Sequence, residues 1–256
     1  MPEPITEQCP RPVRRPVMLQ GWHTLASIHW RYEPAVVQQL LPDGFEVDTF
    51  DGAAWVGLIP FHMRRIRVPG LPALGRFSTF PETNVRTYIV DPDGRRGVWF
   101  MSLDVTRLAP ALVARATYRL PYCWATMRID HVDDTWTYTS RRRWPRGRTE
   151  ARSSVRVEVG EAIEGDAVTD LDRFLSARWA LGSRLLGPLW AEVDHEPWPL
   201  HRARLLELDE TLVQAAGLPA PEGDPHVLWS PGVSVRIGRP RRLRGWRDAQ
   251  RPLLPS

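Results

Sequence analysis

Short alternating segments parted by acidic turn signals constrain this chain more than any other feature. Residues 154–159 set Val155, Val157 and Val159 between polar or charged neighbours, the period of a half-exposed strand. Asp51-Gly52, Asp91-Pro92-Asp93-Gly94 and Asp133-Asp134 each stand between two strand-like segments. Glycine tolerates the positive φ of a tight turn, and Asp and Pro favour its other positions. Strands are therefore predicted at 45–50, 55–61, 82–90, 98–105, 124–129, 135–141 and 154–159, then near 186–194, 201–208 and 233–237. Helical spacing is confined to 34–41, opened by Pro34 and closed by Pro42-Asp43-Gly44, the alanine-rich 108–118, 170–179 with Asp170 near its start, and 210–216. Many strands with few, short helices predict an α+β chain whose mainly antiparallel sheet closes into a barrel or sandwich, with helices at its ends.

Charge divides the chain where strand pattern does not. Residues 1–16 hold three Arg against two acids and residues 239–256 six against one, which leaves 25 Arg and 27 acids for 17–238. The basicity thus lives in Pro- and Arg-rich ends, read as a flexible N-terminal segment (1–16) and a flexible tail (239–256) around a single domain at 17–238. With 43% hydrophobic residues, 256 residues suffice for a real core. No apolar run approaches the roughly 18 residues of a membrane span, and Arg11, Arg14 and Arg15 interrupt the N-terminus. A cytoplasmic protein without a membrane partner is expected, with Cys9 and Cys123 as reduced thiols. The seven histidines lack the close helical pairing of a zinc site, and there is no Walker loop, dinucleotide fingerprint or nucleophile elbow. Neither metal nor cofactor is expected.

All 34 basic residues of the Lys-plus-Arg count are arginine. Whatever the cause, no lysine Schiff base can form, since arginine stays protonated and is not nucleophilic near neutral pH.

On a strand through 80–89, Glu82, Asn84, Arg86 and Tyr88 share one face. Solvated, that face is unremarkable. Turned into a barrel, it gathers a carboxyl, an amide, a guanidinium and a phenol in a space of low dielectric, a site for an anionic or carbonyl-bearing small molecule. Val98, Phe100, Ser102 and Asp104 form the matching alternation on the next strand, where Asp104 either joins the site or neutralises an Arg; pairing is the favoured role. Arg115, near Tyr118 and Tyr122, has the guanidinium geometry to hold a carboxylate or to pair with a buried acid. The run Arg141-Arg142-Arg143-Trp144-Pro145-Arg146-Gly147-Arg148 reads as a charged hairpin tip before it reads as a nucleotide-stacking platform.

Several segments together resemble the YqjF-like family of bacterial proteins (domain of unknown function 2071), placed in the acetoacetate decarboxylase-like superfamily. They are His29-Trp30-Arg31-Tyr32, Leu40-Leu41-Pro42-Asp43-Gly44, Asp48-Thr49-Phe50-Asp51-Gly52-Ala53-Ala54-Trp55, Phe80-Pro81-Glu82-Thr83-Asn84-Val85-Arg86-Thr87-Tyr88, Ser102-Leu103-Asp104 and Leu120-Pro121-Tyr122, with an echo at His195-Glu196-Pro197-Trp198-Pro199-Leu200. The resemblance implies a closed, mainly antiparallel β-barrel with a few short helices and an internal site. It places Tyr122 where the decarboxylases carry their Schiff-base lysine, matches Glu82 to their catalytic glutamate, and sets His23 near their substrate-orienting arginine.

Three functions follow as expectations. In the first, Glu82 and Tyr122 move protons while Arg86, Arg115, Asn84, Tyr88 and His23 bind a small organic acid or carbonyl compound, in an isomerase-, lyase- or cyclase-type reaction. In the second, the same pocket binds or senses a ligand without catalysis. The third, nucleic-acid or partner binding through arginine, is the least favoured. A homo-oligomer is compatible with each.

Overall fold

The computed structural model describes residues 1–106, 120–147, 150–184 and 187–243. The described residues form fourteen strands of one sheet, of which β1, β10 and β14 have no counterpart in the predicted segments: β1 (Met18–Tyr32), β2 (Glu46–Val47), β3 (Thr49–Phe50), β4 (Ala53–Arg67), β5 (Phe80–Val90), β6 (Arg96–Val105), β7 (Tyr122–Val132), β8 (Thr135–Trp144), β9 (Arg152–Ile163), β10 (Ala180–Arg184), β11 (Pro188–His195), β12 (Leu200–Glu210), β13 (His226–Ile237) and β14 (Arg241–Arg242). Their order is β14-β11-β10-β6-β7-β8-β9-β12-β13-β1-β4-β5-β2, β3 pairs β4, and further pairings join β5 to β6 and β11 to β13. Only β6–β7 and β6–β10 are parallel among the described pairings. The short helices are α1 (Pro34–Gln38), α2 (Asp170–Ser176) and α3 (Leu212–Ala215). None of the described helices is long and apolar enough to cross a membrane.

The turn chemistry acts where it is predicted to. Asp51 and Gly52 have φ of 51° and 71° between β3 and β4, the paired left-handed geometry that lets a two-residue turn follow strand twist. Asp133 (φ 50°) and Gly94 (φ 83°) make the β7–β8 and β5–β6 turns. Behind β9, Val155 and Val157 are fully buried with Leu212 and Val213 of α3.

Three expectations change. The predicted helix at 170–179 stops at Ser176, because Ala180–Arg184 pairs with both β6 and β11; ladder bonds to two neighbours outweigh a helical continuation. Its start is fixed by Thr169, whose hydroxyl accepts from the Asp172 amide while the Asp172 carboxylate takes the Thr169 amide, a capping box with Asp in the acidic position. Residues 1–16 carry no helix or strand, yet they are held against the sheet: the Glu3 carboxylate accepts from Arg11 and from the Arg96 amide, the Val13 amide donates to Asp194, and the Trp179 indole donates to the Thr6 carbonyl. The tail contributes β14, which pairs with β11. The predicted helix at 108–118, with Arg115 and Tyr118, and the tail from 244 lie outside the described residues.

Candidate functional site

β5 places Glu82 opposite Val105, Asn84 opposite Leu103 and Arg86 opposite Phe100 on β6, and opposite Phe61, Ile59 and Gly57 on β4. Facing residues of adjacent strands point to the same side of a sheet, so this polar row looks across apolar neighbours. Glu82, Asn84, Arg86 and Tyr122 line one cavity of about 40 Å³, together with Trp22 of β1. Four of the seven residues expected at the site therefore meet in one space.

Glu82 dominates its electrostatics. It is 3% exposed, and its Oε2 has no hydrogen-bond partner, as is true of Asn84 Oδ1 and Arg86 Nε. Burial disfavours its charged form; a hydrogen bond with Asn84 opposes this and Asp104 reinforces it, and the carboxyl is pushed up to about 8. At neutral pH Glu82 is thus mostly a neutral acid with a proton to give. Arg86 forms no ion pair among the described residues; its Nη2 donates to the Tyr88 hydroxyl and the Leu175 carbonyl, each at 3.3 Å.

Tyr88 does not line the cavity. It is fully buried behind Arg86, and its hydroxyl donates to the Leu175 carbonyl at 2.8 Å. With that proton committed, His29 Nε2, 2.7 Å away, must be the donor to the Tyr88 oxygen, and Nδ1 accepts from the Ser27 hydroxyl. This requires a neutral imidazole, in accord with burial, which holds the His29 pKa well below its ordinary range. The ring fits because Gly57 faces it across the β1–β4 ladder; a Cβ there would sit 2.7 Å from His29 Cδ2. Gly57→Ala is expected to cost about 1–3 kcal/mol in urea unfolding by displacing the ring.

Beyond Tyr88 lies a buried ion cluster absent from the sequence reading. Asp48 accepts from Arg96 at 2.6 Å and from Arg178 at 2.5 Å, and the Arg178 guanidinium lies 4.5 Å from the Tyr88 ring centroid and 4.2 Å from that of Phe174. Asp48 belongs to a motif already noted, but nothing in the local pattern of Arg178 marks it as buried.

Asp104 is corrected to the opposite face. A bulge at Met101 shifts the register, so that Arg86 faces Phe100 while Val85 faces Ser102 and Thr83 faces Asp104. Asp104 is fully buried there and pairs with Arg142, 2.9 Å from its Nε. The pairing role holds, and it removes Arg142 from the exposed Arg-rich run.

His23 is likewise separated from the cavity. Along β1, Trp22 turns toward the cavity and Gln20 borders both spaces, while Leu19, Gly21 and His23 line only a groove on the other side. Strand alternation excludes His23 from the Glu82 cluster. Arg115 lies outside the described residues.

This sheet and its short helices define an acetoacetate decarboxylase-like fold. An acetoacetate decarboxylase aligns with TM-score 0.60 and 11% identity over 90% of each chain. An acetoacetate decarboxylase-like enzyme from Sphingomonas wittichii RW1 gives 0.57 and 17% over 89% of this chain and 93% of that one. The enduracididine biosynthesis enzyme MppR, complexed with pyruvate, gives 0.58 and 13% over 90% of each. At such identities the likeness is one of fold. Residues 19–234 match the family DUF2071, described as an uncharacterized conserved protein, and the chain belongs to that family. The protein YqjF of Bacillus subtilis strain 168 is 30% identical over 210 residues, 82% of this chain and 85% of its own.

Proposed function

We propose that this protein binds a small carboxylate- or carbonyl-bearing molecule in the Glu82 cavity and acts on it by proton transfer, without a lysine imine. The observation that carries the reading is Glu82 itself: a buried acid with a raised pKa and a free oxygen, on the same cavity as Asn84 and Arg86, whose Oδ1 and Nε are also without partners. We read the β5–β6 and β11–β13 pairings as closing the sheet into a barrel around this cavity. With Glu82 neutral and Arg86 charged, the space favours one negative charge, as a monocarboxylate would supply.

In this reading Arg86 holds the carboxylate and Glu82 donates its proton to an oxygen on which charge develops, becoming the base that recovers a proton in the next step. Tyr122, on the cavity wall, takes the place that the resemblance gives to the lysine and offers a hydroxyl instead. A cavity of about 40 Å³ has room for little more than water, so ligand entry must move side chains, and the favoured ligand has few heavy atoms. MppR, of the same fold, is described complexed with pyruvate, which makes pyruvate a reasonable first probe.

The test is exchange of pyruvate methyl protons in deuterated buffer, followed by proton NMR. Wild-type protein should accelerate the exchange, and Glu82→Gln should lose at least about tenfold of that acceleration while pyruvate binding survives. Equal rates in the two proteins would remove Glu82 as the acid. Binding without exchange in the wild type would leave a ligand-binding barrel instead. Mass spectrometry of any small molecule that copurifies would identify the natural ligand directly.

A further inference from the structure

β1 borders both the Glu82 cavity and a second space, a surface groove of about 820 Å³. The ladder sets Arg67 of β4 and Arg236 of β13 on either side of Leu19, and Arg64 and Ser234 on either side of Gly21. Three residues apart on a regular strand, Arg64 and Arg67 would point to opposite faces. A bulge between the Leu19 and Gly21 pairings places an extra residue in β4, and Arg65 takes φ 52° there. A left-handed non-glycine residue costs about 1–2 kcal/mol, and here it brings Arg64, Arg65 and Arg67 to one groove with Arg236.

None of these four arginines forms an ion pair among the described residues, in contrast to the neighbouring β9 and β12, where Arg204 meets Glu158, Arg156 meets Glu207 and Arg152 meets Asp209. The groove does contain Asp194 and Glu196, but each accepts a backbone amide, from Val13 and Ser234 respectively. Four guanidinium groups against two carboxylates leave an excess of two positive charges. Gly21 keeps the floor low, and the His23 ring lies over it, with Nε2 2.7 Å from where a Cβ would stand.

We propose that this groove binds a phosphate-bearing small molecule, with its oxygens taken by the guanidinium forks of Arg64, Arg67 and Arg236 and with Arg65 at the rim. Planar forks match phosphate oxygens in pairs, and a di-anion balances the excess charge. The volume suits a phosphorylated small molecule. This site stands apart from the Glu82 cavity and does not depend on its chemistry.

Isothermal titration with pyrophosphate at about 0.15 M salt, where distant surface charges are screened, tests the assignment. Saturable one-to-one binding is expected in the wild type. Arg67→Ala and Arg236→Ala should each weaken it about tenfold or more, the loss of a charge-assisted contact. Arg204→Ala, which removes the same charge from β12, should stay within about twofold, and circular dichroism checks that each variant is folded. No saturable binding in the wild type, or an equal loss in Arg204→Ala, would overturn the proposal. ADP carries the same diphosphate as an ester and should displace pyrophosphate; ADP binding that leaves pyrophosphate in place would also overturn it.

Discussion

Between about pH 4.5 and pH 8, the wild-type protein is expected to lose stability relative to Glu82→Gln, by as much as about 5 kcal/mol in the limit set by linkage. Unfolded Glu82 releases its proton near its ordinary value of 4.5, whereas in the folded chain burial holds that proton until about 8. Across this window the folded state binds more protons than the unfolded one, so rising pH favours unfolding. The stabilising contribution is complete below the unfolded value and lost as pH passes the folded one. Glutamine keeps the shape without the titration, and the other raised carboxyls, Asp104 and Glu210, are common to both proteins. Urea unfolding at several pH values measures the difference. Parallel curves for wild type and variant would mean that Glu82 is charged at neutral pH, and the proposed role as acid would fall with them.

The second large effect concerns Asp48. Asp48→Asn removes the charge that compensates Arg178, which is 5% exposed, and Arg96 beside it. An uncompensated buried charge costs about 3–5 kcal/mol, and for a chain of this size that lowers Tm by roughly 6–20 °C. The rings of Tyr88 and Phe174 against Arg178 offset only part of this. By comparison, Asp51→Asn breaks an exposed pair with Arg31 and should cost no more than about 1 kcal/mol. Adding Arg178→Met to Asp48→Asn should recover much of the loss, because an apolar side chain can occupy the place of a buried ion. A thermal midpoint of Asp48→Asn equal to that of Asp51→Asn would show that the cluster is solvated.

Asp48 also bears on the site. It holds Arg178 against Tyr88, and the Tyr88 hydroxyl meets both His29 and Arg86. The order of the Arg86 guanidinium thus depends on a carboxylate that never touches the cavity.

Pattern and turn chemistry are local, and they were legible in the chain. Asp51-Gly52 demanded a tight turn, the valines of β9 demanded a buried face, and the 80–89 segment placed Glu82, Asn84 and Arg86 together, where the structure finds them along one cavity. The absence of lysine is compositional and excludes a lysine imine at once. Residues distant in sequence were another matter. Regular alternation aligns Asp104 with the wrong face, because a single bulge at Met101 inverts every side chain after it. The resemblance draws His23 toward the site, whereas the alternation of β1 sets it on the groove outside.

What the sequence determined by itself, then, was the strand-rich class, the polar face of β5 and the impossibility of a lysine imine, each set by the nature of a residue and its near neighbours. Only the tertiary structure decided that Glu82 is buried where desolvation raises its pKa, that Arg178 is buried on Asp48, and that four arginines from β4 and β13 share a groove. Those are properties of burial and register, and both arise when strands far apart in the chain pair and exclude water.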